Sequence, residues 1–180
     1  SDSFFLRARI ATNGLTYAET AIDLGSVVNV LAKDVLRIHN VSIQYGDGAT
    51  IPQSTANTNR ATGYQLTTQS QTDLVGMSNR SVIASGRLVV GTGSANNTSL
   101  SDMADLSPST FTNGYLVAVE SLFLGTNSNV GEVVDSISIV LQWTCATMRQ
   151  SAAMALGFSQ QRGETNPSGR STRNRGLFLA

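Results

Sequence analysis

Phe111-Thr-Asn-Gly-Tyr-Leu-Val-Ala-Val-Glu-Ser-Leu-Phe-Leu-Gly-Thr-Asn-Ser-Asn-Val-Gly-Glu-Val-Val-Asp-Ser-Ile-Ser-Ile-Val-Leu-Gln-Trp-Thr-Cys145 is the stretch whose reading decides the fold. From Val133 onward the odd positions are Val133, Asp135, Ile137, Ile139, Leu141, Trp143 and Cys145, and the even ones Val134, Ser136, Ser138, Val140, Gln142 and Thr144. This is the period of a strand with one dry face. Tyr115 to Leu124 is apolar on both faces except at Glu120 and Ser121, as in a strand covered on both sides. Gly125 to Val130, ending at Gly131, carries the glycines and asparagines that tolerate a reversal, so a pair of neighbouring strands is predicted. Such a pair needs a second layer over its dry face.

Working outward, Phe4, Leu6, Ala8 and Ile10 alternate with Arg7 and Arg9, a half-buried first strand. Asn13-Gly14 then suggests a hairpin, with Leu15 to Leu24 as the returning strand. Between Val35 and Tyr45 the apolar parity changes from Leu36 and Ile38 to Val41, Ile43 and Tyr45. One extra residue near His39 and Asn40, a β-bulge, restores a continuous dry face. Residues 46–63 read as a long polar loop, Tyr64 to Val75 as a strand or two short ones, and Ser81 to Val90 as a further strand. In the polar connection 91–110, Ser101 caps a helical turn that Pro108 ends. Thr147 to Phe158 is Ala-rich and unbranched, a short helix with Met148, Ala152, Ala155 and Leu156 on one stripe and Gly157 as its stop.

The inventory is about eight strands and no helix long enough for a parallel crossover. The predicted fold is all-β, an antiparallel sandwich or jelly roll with a short C-terminal helix and an extended tail. Composition agrees. Of 180 residues, 54 are Ser, Thr or Asn and only 13% are charged, which disfavours helix. Residues 1–158 form the expected single domain and 159–180 a basic arm. From residue 162 on, Arg162, Arg170, Arg173 and Arg175 face only Glu164, whereas the first 161 residues hold eight basic and eleven acidic groups. The arm ends in Leu177, Phe178 and Leu179, a hydrophobic hook suited to a neighbouring subunit. Its arginines invite phosphate, with weak support for nucleic acid because only Phe178 is there to stack. No run approaches the length of a membrane-spanning helix.

Chemistry is thinly provided. His39 is the single histidine and Cys145 the single cysteine, so the chain has no internal disulfide and too few soft ligands for a zinc or iron site. Neither a cofactor site nor a catalytic set is expected. Cys145 shares parity with Leu141 and Trp143 and reads as an inert core thiol, and His39 as a structural histidine at the bulge. Glu120 and Asp135 invite comparison with a glycosidase pair, a third-ranked reading. Gly91-Thr-Gly-Ser-Ala-Asn96 lacks the third glycine of a dinucleotide loop.

Arg37 to Gly48, Ser81 to Val90, Tyr115 to Leu124 and Ser136 to Thr144, closed by the helix Met148 to Gly157, resemble in layout a single jelly-roll capsid protein of a tailless icosahedral virus. The resemblance implies a non-enzymatic shell subunit in a virion, packed beside copies of itself or other capsid proteins through its loops and arm. One departure is that the basic segment lies at the C-terminal end, where small RNA-virus capsid proteins carry theirs at the N-terminus. The alternative is a carbohydrate- or receptor-binding sandwich using loops 46–63 and 91–110.

Overall fold

The computed structural model describes residues 2–52, 54–55, 57–93 and 98–162. Nine strands and a helix follow in order: β1 (Phe4–Ala11), β2 (Ala18–Asp23), β3 (Asp34–Tyr45), β4 (Thr58–Thr67), β5 (Val82–Thr92), β6 (Thr98–Leu106), β7 (Tyr115–Val117), β8 (Ser121–Asn129), β9 (Ser136–Thr147) and α1 (Gln150–Arg162). They form two antiparallel sheets, β1-β9-β3-β7 and β2-β8-β4-β5-β6. Apart from the β4-β5 and β5-β6 hairpins, every connection crosses from one sheet to the other. This is the jelly-roll wrap, with β6 added as a fifth strand on one sheet. The expected all-β sandwich with a short helix is the fold.

The core lies between the sheets, where Leu36, Ile38, Ile137, Ile139 and Leu141 of one sheet meet Leu66, Ile83, Leu122 and Leu124 of the other, all at 1% exposure or less. These residues alternate with polar ones because a strand with one wet face must do so. Trp143 is buried at the sandwich end, its ring stacked on Phe4 with centroids 4.9 Å apart. The bulge is where the parity change places it: the β3-β9 register slips between Ile38 and Asn40.

Several local readings are corrected by the long-range pairing. Strands β8 and β9 are not neighbours; β8 pairs with β2 and β4, and β9 with β1 and β3. The supposed turn residues Gly125 to Asn129 are strand, and the reversal falls at Val130 and Gly131, both at positive φ. Gly125 serves close approach instead, since a Cβ there would overlap the Tyr17 phenol. Asn13-Gly14 does turn the chain, with Thr16 N–H donating to the Asn13 carbonyl, but β1 and β2 then part into opposite sheets.

The polar loop after β3 is shorter than expected, because β4 begins at Thr58; residues 68–81 form the longer excursion. Ser101 starts no helical turn. It lies within β6, and Pro108 opens a 3-10 turn, Pro108–Thr110, rather than closing one. Helix α1 continues past Gly157, and its buried stripe is Ala153, Gly157 and Gln160, not the one the Ala and Met spacing suggests. Gln160 accounts for this: its amide donates to the Leu116 carbonyl at 2.7 Å and accepts from Ala118 N–H at 2.9 Å, docking the helix beyond β7.

Candidate functional site

His39 on β3 and Cys145 on β9 border one shallow hollow of about 540 Å³, shared with Arg37, Asn113 and Thr144. The Arg37 guanidinium donates to the Asn113 carbonyl at 2.6 Å, and His39 Nε2 is hydrogen-bonded to Thr144 Oγ1 at 2.8 Å. Cys145 is exposed, which corrects its reading as a core thiol. Strand β1 begins at Phe4 opposite Trp143, so beyond Trp143 strand β9 pairs with β3 alone, and there Thr144 is buried while Cys145 is exposed. The thiol and the imidazole border one concavity, but His39 is engaged by Thr144 rather than poised as a base. A nucleophile with an activating partner is not assembled here.

Glu120 precedes β8 and Asp135 follows it. Fourteen residues lie between them, nine of them the extended strand β8, with Glu120 at its start and Asp135 just beyond the reversal at its end. The strand spans roughly 30 Å at about 3.3 Å per residue. A glycosidase pair spans about 5–10 Å. The two carboxylates therefore cannot share a substrate, and the hydrolase reading that joined them falls. Gly91 belongs to β5, where a Cβ would meet the Asn59 side chain, so it is not a phosphate loop glycine.

A cleft that the sequence reading missed lies on the outer face of the five-stranded sheet, beneath residues 68–81. Its volume is about 470 Å³, and its lining includes Gly63, Gln65, Leu74, Met77, Arg87 and Asn127. Gln65, only 1% exposed, is the centre of the polar network that holds the segment down. Its amide donates to Tyr17 Oη at 2.9 Å and to the Asp73 carbonyl at 3.0 Å, and its carbonyl accepts from Val75 N–H at 2.8 Å. Glu19 takes Gln71 N–H at 3.0 Å and the Ser70 hydroxyl at 2.5 Å, and Asn127 donates to Asp73 at 2.9 Å. Burial pushes the Tyr17 phenol above its ordinary pKa, and the Glu19 and Asp73 carboxylates push it the same way. The signal available in sequence was Gln65 itself, an amide at an outward position between Tyr64 and Leu66. The cleft offers amides, backbone groups and one loose ion pair, Arg87 to Asp105 at 3.7 Å.

The remaining feature is an edge. Strand β6 pairs with β5 on one side, and among the described residues no strand pairs with its other side. Eight of its nine residues are exposed, Leu100 and Met103 among them. The arm residues Arg170, Arg173, Arg175, Leu177, Phe178 and Leu179 lie outside the described residues, as does the side chain of Arg162. Among the described residues, no three His, Cys, Asp or Glu side chains group as a metal site would require, and no helix is long and apolar enough to cross a membrane.

No protein-family model matches the chain, and no curated protein matches its sequence. Among solved structures, a chain from Desmodium yellow mottle tymovirus is similar at 12% identity, covering 82% of this chain and 88% of its own, with a TM-score of 0.34. A superposition this loose leaves the fold assignment resting on the strand order itself.

Proposed function

We propose that the chain is a structural, self-assembling protein, a shell subunit of the viral capsid type whose loops and C-terminal arm contact neighbouring subunits. The observation that carries this reading is the β6 edge, nine residues long and, among the described residues, open along one side. An unpaired strand edge of this length is a template for association, and folded proteins that stay monomeric usually shorten, cover or break it. One feature supports the reading: Phe111, Leu156 and Met148 border an apolar hollow of about 660 Å³ beside β7 and α1. Closed assemblies are built from repeated contacts of this kind.

The test is the size of the full chain in solution. Sedimentation velocity and negative-stain imaging over a wide concentration range are expected to show uniform closed particles or defined oligomers. A chain that remains monomeric at every concentration and ionic strength overturns the reading. The cleft beneath residues 68–81 favours a second reading, a carbohydrate- or receptor-binding module, because it presents amide groups and one arginine in a hollow the size of a small glycan. Glycan binding abolished by Arg87→Ala would move the assignment to that reading.

A further inference from the structure

Among the candidates, the His39 and Cys145 hollow holds no assembled chemistry, and the polar groups of the outer cleft are largely spent on anchoring residues 68–81. The β6 edge is different, because it carries both a geometry that needs an occupant and a charge pattern that selects one.

The geometry comes from the mismatch between the sheets. One sheet has four strands and the other five, and β6 is the strand in excess. Opposite β6, the inward positions of β5 are closed by the core, with Leu88 and Val90 packed on Val133 and Val134. The residues of β6 in the same rows, Leu100 and Asp102, are exposed. Among the described residues, the ledge is thus bare on its face as well as along its edge. It contains no proline and no bulge in its first seven residues, from Thr98 to Ala104, where the register with β5 runs unbroken. A strand laid along it would find a straight run of backbone donors and acceptors and, at Leu100, an apolar side chain to cover.

The charge pattern is Asp102, on the same face of β6 as Leu100, and Asp105, three residues on at the bulge beyond Ala104, where Arg87 of β5 stands 3.7 Å from it. Two such edges laid against each other would bring acidic side chains together, so a second β6 is a poor partner. The segment of this chain that complements the pattern is the C-terminal one. Arg170 and Arg173 have the same three-residue spacing, and the sequence Arg170-Ser-Thr-Arg-Asn-Arg-Gly-Leu177 contains no acidic residue. In an antiparallel register over the unbroken run, Arg173 falls opposite Asp102, which brings Arg170 to the bulge that holds Asp105. Arg175 then lies beside Leu100 with its apolar stem over it, and Leu177 reaches the Thr98 end of the ledge. Residues 163–169, the seven between α1 and the docked segment, extended cover roughly 25 Å, enough to carry Arg170 away from the end of α1 to an adjoining subunit.

We infer that the β6 edge is the acceptor for the arm of a neighbouring copy, residues 170–177 adding as a further antiparallel strand to the five-stranded sheet. The inference rests on the self-assembly reading and names the contact.

The experiment is disulfide trapping between two singly substituted full-length chains, each also carrying Cys145→Ser so that no other thiol is present. One carries Ser101→Cys on β6 and the other Asn174→Cys on the arm, positions that the register places opposite each other. Mixed and mildly oxidised, they are expected to give a covalent heterodimer as the main product. A control chain with Thr20→Cys on the opposite edge strand β2 should give at least tenfold less with the same partner. Asp102→Arg in the β6 chain should reduce the heterodimer several-fold, and Arg173→Asp in the arm chain should restore it. A heterodimer no more abundant than the Thr20→Cys control overturns the inference. So does an intrachain disulfide without dimer in a chain carrying both cysteines, because the arm would then cover its own edge. The size of the parent chain is measured alongside. Assembly that persists while trapping fails removes only this contact, whereas a parent that stays monomeric removes the self-assembly reading.

Discussion

Gly157, inside α1, lies against the backbone of Ala118: a Cβ added to it would stand 2.7 Å from the Ala118 carbonyl oxygen. The helix is seated on the end of β7 by this contact and by the two hydrogen bonds of Gln160. In an exposed helix, Gly to Ala gains up to about 1 kcal/mol. Here the partner is a carbonyl that cannot swing aside, so Gly157→Ala is expected to destabilise by about 1–3 kcal/mol. Thermal unfolding should show a lower Tm for Gly157→Ala and an unchanged one for Met154→Ala, whose side chain is exposed. A raised Tm for Gly157→Ala would show that the seat is loose.

Gln65 ties the excursion 68–81 to the sheet through three hydrogen bonds while almost wholly buried. Gln65→Leu keeps the bulk but leaves Val75 N–H and the Asp73 carbonyl without their partner. The expected cost is about 2–4 kcal/mol. Limited proteolysis should then cut between residues 68 and 81 much faster than in the parent, with the rest of the sandwich resistant. Equal cutting rates would mean the network is not what holds the segment.

The tyrosines set an alkaline limit. Burial drives Tyr64 up to about 12, with Asp102 and Asp105 adding to the shift, and Tyr17, Tyr45 and Tyr115 are also raised, burial being the main cause in each. In the folded state the phenols hold their protons at pH values where the unfolded chain, with phenol pKa near 10, releases them. The unfolded state then binds fewer protons, so stability falls as pH rises. The contribution is complete below pH ~10 and is lost progressively up to about 12 for Tyr64. Tyrosinate absorbance is expected to appear together with unfolding, in one cooperative step. A gradual titration of the phenols with the sheet signal intact would contradict this.

Cys145 is exposed, and its neighbour His39 is engaged by Thr144. A maleimide should therefore label the folded chain once. His39→Gln should leave the labelling rate unchanged within about twofold, because the imidazole does not activate the sulfur. A tenfold drop would identify a thiolate pair in the hollow.

The sequence by itself determined strands β1, β3 and β9 and the dry face along most of their length. The alternation in β1, β3 and β9 and the bulge after Ile38 are local consequences of a two-residue period, and all were legible because each residue's face depends on its immediate neighbours. Tertiary structure alone decided which sheet each strand joins. Asn13-Gly14 and the Gly125 stretch have turn chemistry, yet the strands on either side of each part into opposite sheets, because a reversal fixes direction and not partner. Pairing is selected by which dry faces can meet across the core, and that depends on residues more than a hundred positions apart, as Phe4 and Trp143 are. The exposure of Cys145, the burial of Gln65 and the bare ledge of β6 depend on which elements pack over each position, which no local pattern records.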